Sequence, residues 1–152
     1  MKPILITAMY VSLAYSAFGQ STTSNELLGQ GFARKAEAKN QLMDDVKEGK
    51  WVEYVKNDSE VTTDTNAPFY KLTFYVSGKP YGIVRGYFKT GELRAETPYK
   101  DGVKNGLEKV YYKSGKIWKE IPYEDGELDE NAIVKEYYED GIIRDETITY
   151  QK

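Results

Sequence analysis

From Gly49 onward the chain runs in short stretches where apolar and aromatic residues alternate with charged ones, punctuated by glycine-containing turns. A period of two is that of a half-buried β-strand; a helix would show a period near 3.6. Glu108–Lys113 and Lys116–Tyr123 flank Ser114-Gly115 and together predict one β-hairpin. The chain repeats that hairpin about four times. Lys50–Lys56 is the first strand of the series, and its partner Phe69–Tyr75 follows the polar loop Asn57–Pro68.

Spacing fixes the register of the repeats. Gly78, Gly102 and Gly126 lie 24 residues apart, as do Tyr75, Tyr99 and Tyr123. Gly49 to Gly82 and Tyr54 to Tyr87 are both 33, so the first hairpin carries nine extra residues in its tip. Gly115 to Gly141 is 26, which places two extra residues near Asp129–Ala132. Agreement between independent landmarks is the signature of a repeat array. Lys89-Thr90-Gly91, Lys113-Ser114-Gly115 and Glu139-Asp140-Gly141 put glycine where a turn needs positive φ. Asp101-Gly102 and Asp125-Gly126 mark the second connection of each unit, expected to be the longer one. Asp44–Gly49 matches Asp101–Gly106 and is read as the first such connection. Pro98 and Pro122 recur one residue before a tyrosine. Proline cannot donate to a ladder, so a bulge or a strand end is expected there.

Ahead of the array, Phe32–Leu42 contains good helix formers, and a short helix and a flexible lead-in are both compatible with it. Gln20–Gln30 is polar and rich in Ser and Thr, and reads as a tail. Met1–Gln20 has Lys2, an apolar run from Ile4 to Ala17, and small residues at Ala17 and Gly19. That is the form of a secretory leader cleaved after Gly19, and the run is too short and too broken by Thr7, Ser12 and Ser16 to span a membrane comfortably. The expected organisation is a signal peptide at 1–19, a flexible or helical lead-in at 20–43, and a repeat array at 44–152. The mature chain then has no transmembrane segment and lies in the periplasm or outside the cell.

Composition narrows the chemistry. Fourteen tyrosines and two tryptophans supply bulky area for half-buried sheet surfaces. With no His and no Cys, imidazole bases, thiol nucleophiles, disulfides and His/Cys zinc sites are excluded. The formal charge of −3, with Lys and Glu alternating, gives no nucleic-acid footprint. Asp125–Glu130 is acidic but lacks the glycine and the distant bidentate Glu of a calcium loop. No cofactor, metal or catalytic residue is assigned.

Gly106-Leu107-Glu108-Lys109-Val110-Tyr111-Tyr112-Lys113-Ser114-Gly115-Lys116, with related copies at Gly82–Gly91 and Val134–Gly141, resembles the bacterial variant of the MORN (membrane occupation and recognition nexus) repeat. The resemblance covers about Asp44–Tyr150. It implies an all-β fold, a single-layer antiparallel meander of about four MORN-like hairpins. Similar bacterial proteins are often labelled antitoxin components of toxin–antitoxin pairs, and the resemblance implies that role in turn.

Strict alternation sorts the strands into faces. Tyr54, Tyr87, Tyr111 and Tyr137 share one face with Ile83, Leu107 and Ile133, while Arg94, Trp118 and Arg144 share a face with Glu96, Glu120 and Glu146. A tyrosine row is sheet glue first and a binding stripe second. Trp118, standing where its counterparts are Arg94 and Arg144, is the prime candidate for an exposed contact. The candidate binding residues are therefore Trp118, Tyr87, Tyr111, Tyr137, Arg94 and Arg144. The repeated Glu row, with Arg94, Lys119 and Arg144 near it, reads as a solvated ion-pair ladder and not as an acid–base pair. The expected function is a non-catalytic protein-interaction or scaffold module with a protein partner, and the alternative is a module for envelope glycans or lipid head groups.

Overall fold

The computed structural model describes residues 29–57, 60–128 and 132–148. The proposed leader and the segment 20–28 lie outside the described residues. Twelve strands form one antiparallel sheet: β1 (Gln41–Met43), β2 (Val46–Val55), β3 (Val61–Thr62), β4 (Phe69–Val76), β5 (Lys79–Phe88), β6 (Leu93–Lys100), β7 (Val103–Lys104), β8 (Gly106–Tyr111), β9 (Ile117–Glu124), β10 (Glu127–Leu128), β11 (Ile133–Tyr137) and β12 (Ile143–Ile148). Its main path is β1-β2-β4-β5-β6-β8-β9-β11-β12, with the short β3, β7 and β10 pairing to β2, β6 and β9. Nearly every neighbour in space is a neighbour in sequence, so the sheet is an open meander of four hairpins: β2/β4, β5/β6, β8/β9 and β11/β12. The all-β expectation holds.

The turn lengths are the reverse of those expected. Lys100 pairs with Val103 and Glu124 with Glu127, so Asp101-Gly102 and Asp125-Gly126 are tight two-residue turns. Both residues of each have positive φ, 53° and 91° in one and 48° and 95° in the other, the mirror-type turn that matches strand twist. The Gly115 connection is the longer one. It runs from Tyr111 to Ile117 and is closed by Tyr112 N donating to Lys116 O and Gly115 N donating to Tyr112 O. Pro98 and Pro122 are not at strand ends. They lie inside β6 and β9, where the ladder to the following strand is interrupted: β6 pairs onward through Ala95-Glu96 and Tyr99-Lys100 but not between them, and Asn105 N donates to Pro98 O.

A second departure reorganises both faces. Gly86 pairs with Ala95 but Tyr87 pairs with Leu93, leaving Arg94 as an extra residue in β6. The same shift makes Trp118 extra in β9 and Arg144 extra in β12. Each is a β-bulge, which re-aims a side chain and flips the parity of the residues on its far side. Strict alternation therefore fails in these strands: Leu93 lies beside Tyr87 on the front face, whereas Arg94 and Trp118 emerge at the back, with Thr97. The Glu96/Glu120 row stays in front with the tyrosines, so Arg94, Trp118 and Arg144 do not share its face.

The lead-in is not one helix. A single 3-10 turn spans Lys35–Glu37, and Gln41–Met43 turns back through Asp44-Asp45 to pair with β2. Its extended part lies across the front face. Phe32, 4% exposed, packs with Leu72 and Tyr87 in the core cluster, joined by Ala38, Val52, Tyr70 and Leu93. Gly31 makes this approach feasible: a Cβ there would stand 2.1 Å from the Ile83 carbonyl oxygen, and its φ is +64°. Arg85 Nη1 donates to the Gln30 and Phe32 carbonyls, and Tyr87 Oη donates to the Ala33 carbonyl. Glu37 completes the strap by accepting hydrogen bonds from Lys50 and from Arg34.

Candidate functional site

On the back face, β5, β6, β8 and β9 enclose an open trough of about 370 Å³. Val84, Ala95, Val110 and Ile121 contribute apolar lining, Gly86 keeps it open, and Tyr99, Tyr123 and Trp118 supply aromatic walls. Lys71, Arg94, Lys104 and Lys119 line it with positive charge, against Glu108 as the sole carboxylate of the lining among the described residues.

The polar groups are held by specific partners. Glu108 accepts from Thr97 Oγ1 at 2.7 Å and from Lys104 Nζ at 2.9 Å. Burial alone would lower the Lys104 pKa, but its hydrogen bonds and charge interactions with Glu108 and Tyr123 outweigh this and raise it. Burial pushes the Tyr99 phenol up, against the nearby Lys104 charge. Lys104 Nζ also stands 4.3 Å from the Tyr123 ring centroid. A comparable cluster lies earlier in the sheet at a different repeat position, where Glu53 accepts from Tyr75 Oη at 2.9 Å and from Lys47. The two ion pairs are similarly exposed, Lys47 beside Trp51 and Tyr75, and Lys104 with Glu108 in the lining of the trough.

The bulges bring three candidate residues to this face. Arg94 lies 4.7 Å from the Phe69 ring centroid and lines the trough. Trp118, 37% exposed, tilts against Tyr112 at 6.1 Å, with Lys119 Nζ 5.8 Å from its ring. Lys119 pairs with Glu136 at 2.5 Å, and Glu136 in turn with Arg144 at 3.8 Å, so Arg144 continues the same face one unit further on.

The three candidate tyrosines lie opposite. Tyr87 is buried under the lead-in and stacks on Tyr70 at 5.0 Å. Tyr111 Oη donates to Glu96 Oε2 at 2.9 Å, and burial together with that bond pushes its pKa up to about 12. Tyr137 Oη donates to Glu120 Oε2 at 2.8 Å, a bond that raises its pKa. These hydroxyls hold the glutamate row; they do not join the trough. Tyr99, Tyr123, Lys104 and Glu108 line the trough, and sequence reasoning did not single them out as candidates. The Tyr75/Tyr99/Tyr123 spacing marks two of them, but only as landmarks of the repeat.

No curated protein and no solved structure matches the chain. Residues 80–101, 104–125 and 130–152 each match the family model of the MORN repeat variant. These are the three units that carry the bulge, and all of the trough's lining except Lys71 comes from the first two. Repeats of this kind are commonly protein- or membrane-lipid-binding modules. The chain thus contains three MORN repeat variants, preceded by a related hairpin and a lead-in outside the matched segments.

Proposed function

We propose that the protein is a non-catalytic interaction module whose back-face trough takes an extended, acidic protein segment with an aromatic or apolar anchor. The observation that carries this reading is the trough itself: a half-exposed Trp118, with Tyr99 and Tyr123 in the same lining, four cations, and one carboxylate already satisfied by Thr97 and Lys104. Aromatic and arginine side chains in a concavity are what hot-spot contacts are made from, and a cationic lining favours a partner of opposite charge. The site of action we propose is the cell envelope or the exterior, on the strength of the leader-like Met1–Gly19. An antitoxin-like role within such a module rests on the repeat resemblance alone.

Photo-crosslinking from a probe placed at Lys119, in the native cells, with mass spectrometry of the adducts, tests the reading. An acidic protein segment captured by the wild type and lost in Trp118→Ala supports it. Parallel flotation with liposomes containing anionic lipid tests the other reading: Trp118-dependent flotation without protein capture replaces the protein partner with a head group. The mass of the mature N-terminus tests export, with Gln20 expected as first residue and an intact Met1 in a soluble cytoplasmic fraction contradicting it.

A further inference from the structure

One line of charge runs across the front face in strict alternation. Arg85 pairs with Glu96, Glu96 with Lys109, Lys109 with Glu120, Glu120 with Lys135, and Lys135 with Glu146. Each internal carboxylate thus lies between two cations on neighbouring strands, an arrangement in which cross-strand pairs support one another. The line ends on Glu146 in β12, the last strand of the sheet among the described residues. Every residue of β12 is exposed, and it is six residues long, against three in the opposite edge strand β1.

Of the three junctions between units, β4/β5 has Leu72 facing Arg85, and the other two, β6/β8 and β9/β11, carry a glutamate and define what the next strand should carry. At both, the residue facing the glutamate is a lysine, Lys109 or Lys135. Two positions after that lysine comes a tyrosine whose hydroxyl reaches back to the same glutamate. The intervening residue faces the position before the glutamate: Val110 faces Ala95, and Glu136 faces Lys119 in an ion pair. At the edge that position is Asp145, so a complementary residue there is basic.

We infer that the outer edge of β12 is a docking edge for an extended segment of another protein with the order basic, basic, tyrosine. Addition of a strand to an open edge supplies backbone hydrogen bonds, and the side chains at fixed register supply the selectivity. Three registers of a second copy of β12 are disfavoured. Antiparallel self-pairing centred on Asp145 or Glu146, or between them, places carboxylate against carboxylate, which is unfavourable. Within residues 1–152 every segment of that kind is already used. The basic–x–Tyr segments, ending at Tyr81, Tyr87, Tyr111 and Tyr137, all begin within strands already in the sheet, and none occurs in residues 1–28 or 149–152. This inference is independent of the trough.

The test uses the full chain and a fluorescein-labelled peptide, Gly-Leu-Glu-Lys-Lys-Tyr-Tyr, which is the 106–112 sequence with lysine in place of Val110. Fluorescence anisotropy at low salt should show binding, weakened about tenfold or more when the two peptide lysines are replaced by glutamates. Glu146→Lys, with circular dichroism confirming the fold, should reverse that preference, while Trp118→Ala should leave it unchanged. Equal binding of both peptides, no binding by either, or loss of binding in Trp118→Ala overturns the assignment. So does a wild-type dimer in sedimentation that Glu146→Lys dissolves, because the edge is then occupied by a second copy.

Discussion

The first half of the sheet and the last half are built from the same hairpin, yet they are different materials. Among the described residues every buried side chain, from Phe32 to Thr97, lies in or before β6, and Leu72 is fully inaccessible. Beyond Thr97 none is buried, and Leu107, Ile133, Ile143 and Ile148 are all more than 40% exposed. The repeat sequence does not account for this, since Tyr87, Tyr111 and Tyr137 are equivalent positions. On the front face the lead-in does: it lays a second layer over Leu72 and Tyr87, while Glu53, Thr73, Tyr75, Val84 and Thr97 are buried on the back face, away from it. Where it is missing, the same sheet is held by cross-strand ion pairs and tyrosine–glutamate hydrogen bonds, whose net worth in partial exposure is small.

The largest expected difference comes from truncating the buried contacts. Leu72→Ala or Phe32→Ala should cost about 3–4 kcal/mol in urea unfolding, while Ile143→Ala should cost no more than about 0.5 kcal/mol. Equal costs would remove the distinction between the halves. Gly31→Ala comes next, at about 1–2 kcal/mol from its left-handed backbone alone, with the Ile83 carbonyl adding to it. Its effect should be confined to the first half, seen as faster proteolysis of the lead-in with the β8–β12 amides unaffected.

Titration separates the two halves further. Glu37 is held down at about 2 by its hydrogen bonds to Lys50 and Arg34. A lowered carboxylate pKa stabilises the fold above its ordinary value of 4.5, and that contribution is lost as pH falls toward 2. The lead-in should therefore loosen in acid before the sheet does, and limited pepsin digestion across that window checks the order. Tyr111 is the opposite case. Its pKa is raised from 10 to about 12, so its contribution is present below pH 10 and lost as pH rises through 12. Tyr111→Phe, expected to cost about 1 kcal/mol at neutral pH, should flatten the alkaline unfolding curve in that range. Smallest of all, Trp118→Ala should shift stability by less than about 1 kcal/mol, because the bulge already holds that side chain at the surface.

The parts that were legible in the sequence are those written in local spacing. Gly78, Gly102 and Gly126 mark turns because a tight hairpin needs positive φ, and the 24-residue step follows directly. Faces were legible only up to the first bulge. A single extra residue at Arg94 inverts the parity of β6, and no composition signal marks it, since arginine, tryptophan and arginine occupy the three equivalent places. The candidate set consequently mixed two surfaces: Trp118, Arg94 and Arg144 share the back face, while Tyr87, Tyr111 and Tyr137 belong to the front. The lead-in was read from helix propensity, which is weak against tertiary contact. What decided its path was one glycine, Gly31, and one aromatic, Phe32, whose partners lie some forty to sixty residues away in Leu72 and Tyr87. Such a contact has no periodicity to announce it.

Native-state hydrogen exchange of the full chain, read residue by residue at neutral pH, tests the central contrast most directly. Amides of Val52, Leu72 and Val84 in β2, β4 and β5 should open only with global unfolding, and those of β11 and β12 should exchange roughly a hundredfold faster or more. Uniform protection across all four hairpins, or slower exchange in β11 and β12 than in β4, would contradict the account.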